Sequence, residues 1–135
     1  MRTLLAAATV LTILASPVLA DEAADVRAVI DRQISAFRSD DGAAAWSLAT
    51  PRLREIFPSA DVFMGMVKSG YAPVYRPKSV TFGRFQAVPG GFAQEVFVVG
   101  PDGDGYTALY LLETQPDGSL RIAGCKLVKA AGTAA

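Results

Sequence analysis

The chain has no histidine, one cysteine, one tryptophan and equal numbers of acidic and basic residues, 13 of each, in 135. Without histidine there is no imidazole to serve as general base, and every serine triad of the histidine type is excluded. A single thiol, Cys125, cannot close a disulfide within the chain. Its plainest role is that of a small buried apolar side chain, with a bridge between chains as the sharper alternative. Zero formal net charge, with no basic stripe or tail, leaves no electrostatic footprint for nucleic acid.

Long apolar runs are scarce as well. The opening MRTLLAAATVLTILASPVLA holds one basic residue, Arg2, then an apolar run from Leu4 to Ala15, a break at Pro17, and Val18 and Ala20 ahead of Asp21. This is the layout of a secretory signal (residues 1–20) cleaved before Asp21. The run is short of the roughly 20 residues that span a bilayer. Asp21 stands where a lipid-anchored precursor would need cysteine. The expectation is a periplasmic or secreted protein with no stable membrane anchor, one domain over residues 21–135, and about one unit of net negative charge once Arg2 is removed.

Val26, Val29, Ile30, Ile34 and Phe37 recur at helical spacing, with Arg27, Asp31, Arg32 and Arg38 turned away, which predicts an amphipathic helix over 25–37. SDDG interrupts it. GAAAWSLA predicts a second short helix with Trp46 in the core. Thr50 before Pro51 reads as a hydroxyl cap with proline at the first helical position, opening PRLREIF. Ser59 caps ADVFMGMVKS, whose inward face is read as Val62, Phe63, Met66 and Val67, with Gly70 at its end.

After Tyr71 the period becomes two. PGG, PDGDG and PDGS separate four runs rich in Val, Phe, Tyr, Leu and Ile, and the short connections predict an antiparallel meander. The fold class is therefore α+β: N-terminal helices packed on a curved four-stranded sheet, cone-like. Alternation slips by one residue at Gly83, between Phe82 and Phe85, and near Gly124, between Ile122 and Cys125. A β-bulge at each position restores the phase and bends the strand. VFVV at 96–99 and LYLL at 109–112 are apolar on both faces, so the outer face of the sheet is expected to pair with a second copy.

AFRSDD, ATPRLREIF, GYAPVYRPKSVTFG and YLLETQPDGSLRIAGCKLV resemble the domain of unknown function family 4864, within the nuclear-transport-factor-2-like, or cystatin-like, superfamily. The resemblance covers roughly residues 25–128, and PVYRP and LRIAGCKL are its most specific pieces. It brings no activity, cofactor or catalytic residue. It implies a pocket between the concave sheet and the helices, which different members use for catalysis, for ligand binding or for assembly alone.

Candidate sites are few. In GYAPVYRP the two prolines predict a stiff extended connector, with Tyr71, Pro73 and Tyr75 pointing alike, and the fold that the resemblance implies would run it across the open end of the cone. Tyr71, Tyr75 and Arg76 then form a lip for an anionic or aromatic ligand. Alternatively the tyrosines plug the cone while Arg76 bonds helix carbonyls or an acid such as Asp40, and this plainer reading is preferred. An acid–base isomerase or dehydratase would need a buried carboxylate, and Asp40, Asp41 and Asp61 are the nearest candidates. Each already has a capping or helix-dipole role. DGDG at 102–105 mimics the start of a calcium loop, with Glu113 at the twelfth position, but Tyr106 and Thr107 stand where a ligand and the essential glycine belong. No metal site and no cofactor is assigned. The expectation is a non-enzymatic exported domain acting by assembly or protein interaction, with small-ligand binding and acid–base catalysis as alternatives.

Overall fold

The computed structural model describes residues 7–9 and 17–130. Helix α1 runs Pro17–Arg38, longer at its start than the apolar stripe requires. Val26, Val29, Ile30, Ile34 and Phe37 are buried as the spacing predicts, and Gln33 is buried among them. The helix ends in a Schellman-type turn: Asp41 N donates to Ala36 O at 2.8 Å and Asp40 N to Phe37 O at 3.1 Å. Asp40 itself takes the left-handed conformation, φ 55°, where glycine is the usual occupant.

Asp41 caps α2, Gly42–Ser47, accepting from Ala44 N at 3.1 Å. Trp46 is half-buried, not fully enclosed, because its indole Nε1 donates to Phe57 O at 2.8 Å while Arg54 lies over its ring. Thr50 caps α3, Pro51–Ile56, through Leu53 N at 3.2 Å. Ser59 caps α4, Ala60–Gly70, through Val62 N at 3.1 Å. The buried face of α4 is Phe63, Met64 and Val67. Val62 is exposed instead of Met64, since Met64 packs against Gly42 of α2 and so turns the helix by one position.

The largest correction concerns GYAPVYRP. It is not an extended rod: Ala72–Tyr75 form a single helical turn, α5. Pro73 falls in its first turn, where the missing N–H is an orphan in any case. Tyr71 O collects the N–H groups of Val74 and Tyr75, both at 3.0 Å. The preference of a residue before proline for extended backbone is overridden at Ala72. At Arg76, before Pro77, the chain leaves the helix with φ −137° and ψ 62°, outside the helical region that proline disfavours in its predecessor.

The four strands β1 (Ser79–Val88), β2 (Gly91–Val99), β3 (Gly105–Thr114) and β4 (Leu120–Lys129) pair antiparallel in sequence order. Both bulges are present. The β1–β2 register shifts between Phe82 and Phe85. Across from β4, Leu111 pairs with Gly124 and Leu112 with Ile122, so Ala123 is the extra residue. Two side chains of β2, one on each face, manage the first bulge. The Gln94 amide, fully buried, donates to Gly83 O and Arg84 O, each at 3.2 Å, and the Phe97 ring covers Gly83 so closely that a Cβ there would meet it at 2.5 Å.

The inner face carries Phe92, Gln94, Val96 and Val98 of β2, Ala108, Tyr110 and Leu112 of β3, and Ile122 of β4, all buried beneath the helices. The free edge of β4 is covered by the chain between α2 and α3: Thr50 N donates to Ile122 O at 2.9 Å and Ile122 N to Leu48 O at 2.8 Å. Covering an edge in this way removes a template for unwanted strand pairing.

Candidate functional site

The bulge at Ala123 decides which side chains of β4 look inward. Without it Cys125 would fall on the outer face; with it Leu120, Ile122 and Cys125 follow one another under the helices. Cys125 is directly opposite Tyr110 on β3, and the two form the floor of a cavity of about 260 Å³. Gln33 and Phe37 of α1 and Leu53 of α3 form part of its wall. Phe63, Met66 and Val67 of α4 complete the helical side, and Tyr71 and Val74 flank it from the α5 turn. Tyr71 and Val74 are three residues apart on a helical turn, the spacing that puts two side chains on one face.

Every polar group in this lining is neutral. The Gln33 amide donates to Ala45 O at 3.3 Å. The Tyr110 hydroxyl is buried and makes no hydrogen bond of good geometry; the Cys125 thiol across the strand offers only the weak contact that sulfur can give. Burial pushes the Cys125 thiol up to about 12, so it is uncharged at neutral pH and a poor nucleophile. Burial first, and the Cys125 thiol second, raise Tyr110 well above the ordinary phenol value. No aspartate, glutamate, lysine or arginine is among the lining residues.

The three residues read as a lip separate. Tyr71 reaches the cavity wall. Tyr75 and Arg76 do not line it, and instead gather around Asp40 at the C-terminal end of α1. The Tyr75 hydroxyl donates to Asp40 Oδ1. Arg76 Nη2 donates to Asp40 Oδ2 at 3.0 Å, Nη1 to Phe37 O, and the guanidinium lies 4.1 Å from the centroid of the Tyr75 ring. Lys68 adds a long ion pair to Asp40, 4.0 Å. The hydrogen bond from Tyr75, then the charges of Arg76 and Lys68, hold the Asp40 carboxyl below its usual value, and Asp40 in turn raises Tyr75. Arg76 on helix carbonyl and carboxylate is the arrangement read as structural from the sequence.

Asp41 is spent on its cap and Asp61 lies exposed in the first turn of α4. The DGDG segment is a hairpin turn. Asp102 accepts from Asp104 N at 3.0 Å and from the Tyr106 hydroxyl at 2.8 Å, Gly103 takes φ 85°, and Asp104 pairs with Lys129 at 3.0 Å. Among the described residues no three histidine, cysteine or acidic side chains cluster as metal ligands would.

Two polar cavity residues, Gln33 and Tyr110, were not singled out from the sequence. Gln33 carries a readable signal, a polar residue in phase with Ile30 and Phe37 on an otherwise apolar stripe. Tyr110 carries none, because within LYLL the inner and outer sets look alike until the strand is paired.

The family model of the domain of unknown function DUF4864 matches residues 19–135. The chain belongs to the DUF4864 family. None of the curated proteins matches it. Among solved structures, this DUF4864 chain is similar in fold to the crystal structure of an NTF-2 like protein of unknown function from Burkholderia xenovorans LB400. The TM-score is 0.50 at 10% identity, covering 84% of this chain and 89% of the other. At that identity the likeness concerns the fold alone: helices followed by a four-stranded antiparallel sheet.

Proposed function

We propose that this DUF4864 protein is a non-enzymatic, exported binding domain whose cone holds a small, largely apolar molecule. The observation that carries the reading is the cavity itself, about 260 Å³ between helices and sheet. It lies between the ~150 Å³ pocket that admits benzene and the ~300 Å³ at which drug-sized sites begin. That is room for one or two rings. The walls favour binding over acid–base chemistry, since Asp40, Asp41 and Asp61 all lie on the surface with structural partners or solvent and no carboxylate lines the space. Export is supported by the N-terminal layout together with the exposure of residues 19–21, the first buried side chain among the described residues being Val26, so that cleavage before Asp21 would leave every described core residue in place. Among the described residues no helix is long and apolar enough to cross a membrane.

The test is a panel of small neutral aromatics scored by thermal stabilisation. A ligand present at a hundred times its Kd adds about 2.7 kcal/mol to the folded state. Leu53→Trp, which puts an indole in place of an isobutyl group at the cavity wall, is expected to abolish the shift. No stabilisation by any member at millimolar concentration, or an undiminished shift in Leu53→Trp, overturns the reading.

A second reading, self-association through the sheet, is favoured by Phe97, Leu111 and Val128, which stay 44–50% exposed on its outer face. Light scattering at micromolar concentration is expected to give a dimer that Leu111→Lys dissociates. A monomeric parent protein refutes it.

A further inference from the structure

The chemistry of the cavity wall narrows the ligand, given the binding reading above. Four polar side chains touch the space, Gln33, Tyr71, Tyr110 and Cys125, and none bears a charge at neutral pH. Of the cations that flank the wall, Lys68 and Arg76 are committed to Asp40, Arg38 donates to Pro77 O and Arg54 lies over the Trp46 ring; no lysine or arginine is among the lining residues. A carboxylate or ammonium entering this space would lose its hydration without gaining a counter-ion, which costs several kcal/mol in an apolar site. A neutral guest meets no such cost. Gln33 already spends its Nε2 on Ala45 O, whereas the Tyr110 hydroxyl, on a side chain 1% exposed, makes no hydrogen bond of good geometry and has only the weak Cys125 thiol beside it. Native proteins rarely leave such a group unpaired, and a guest bearing an acceptor oxygen would pair it.

We infer that the cavity selects an uncharged one- or two-ring molecule carrying a carbonyl-type hydrogen-bond acceptor, held by the Tyr110 hydroxyl, and rejects the corresponding carboxylate. The recognised chemistry is that of a neutral cyclic ketone or ester. Anionic ligands of the kind suited to an arginine lip are excluded by the position of Arg76.

The experiment uses three matched probes, tetralin, tetralone and a tetralin carboxylate, titrated calorimetrically at neutral pH into the folded protein and its Tyr110→Phe variant. Tetralone is expected to bind about tenfold more tightly than tetralin, the value of one well-made hydrogen bond, and at least a hundredfold more tightly than the carboxylate. Tyr110→Phe is expected to bring the tetralone-to-tetralin affinity ratio from about ten down to about one, a change in ratio that a general loosening of the fold would not give. Carboxylate binding equal to that of tetralone, or equal tetralin and tetralone affinities in the parent protein, overturns the inference and leaves the binding reading standing. A tetralone preference that survives Tyr110→Phe overturns the role of Tyr110. Absence of binding by both tetralin and tetralone overturns the binding reading, and this inference falls with it.

Discussion

Tyr110→Phe should make the protein more stable. The tyrosine is 1% exposed and its hydroxyl finds no hydrogen bond of good geometry, so the folded state carries a polar group that was hydrated in the unfolded chain. A buried, unsatisfied donor of this kind costs about 1–3 kcal/mol. Against its removal stand the weak contact with the Cys125 thiol and the void left by one oxygen, worth a few tenths of a kcal/mol at ~24 cal/mol per Å³. The net expectation is stabilisation by about 1 kcal/mol, or roughly 4 °C in Tm for a domain of this size. Urea unfolding followed by circular dichroism should give a higher midpoint with an unchanged slope, the signature of altered stability without altered compactness. The ring keeps its place on the inner face, so the packing of Phe37, Ile122 and Val67 around the cavity should be preserved. A loss of 1 kcal/mol or more would mean that the hydroxyl is well hydrogen-bonded in the folded protein, and the reasoning that makes it a free donor for a guest would be refuted. With the tetralone titration, the same substitution is expected to raise stability and lower ligand selectivity, as happens where a site keeps a strained or unpaired group for its function.

Gln94→Leu is expected to destabilise by roughly 2–3 kcal/mol, because the Gly83 and Arg84 carbonyls at the β1 bulge lose the amide that satisfies them; an unchanged urea midpoint would show that water replaces it at no cost. Gly91→Ala should disrupt the β1–β2 hairpin, since its Cβ would sit 1.8 Å from Leu112 O, and a folded variant with parent-like hydrogen-exchange protection across β2 would contradict this close approach. The Cys125 thiol, ordinarily 9.0, is raised to about 12 by burial. The unfolded chain therefore loses this proton first, and stability falls as pH climbs from about 9 towards about 12. Comparison with Cys125→Ala should show an excess loss of about 1.4 kcal/mol in the parent between roughly pH 8 and pH 10, whereas parallel pH profiles would mean the thiol is solvated in the fold.

Much of the architecture follows from short-range rules that need no tertiary information. The stripe Val26, Val29, Ile30, Ile34, Phe37 has one low-energy solution, a helix against an apolar surface. Thr50-Pro51 and Ser59 set helix starts because their hydroxyls replace backbone acceptors the first turn lacks. The slips at Gly83 and near Gly124 were legible because strand side chains alternate strictly, so one extra residue displaces every later one. The GYAPVYRP turn was misread for the same reason that local rules work elsewhere. Two proline effects conflict there, and the packing of Pro73 and Val74 into the interior decides between them.

The residue pattern alone carries the first four helices, the four strands, the two bulges and the absence of any histidine-based chemistry. Long-range packing sets the rest: Tyr75 and Arg76 close on Asp40 while Tyr71 turns to a cavity with Tyr110, Cys125 and Gln33. These four come from an α5 cap, two strands and α1. Nothing in their spacing along the chain encodes that meeting, because it depends on how far the bulged sheet curls and on how deeply the helices settle into it.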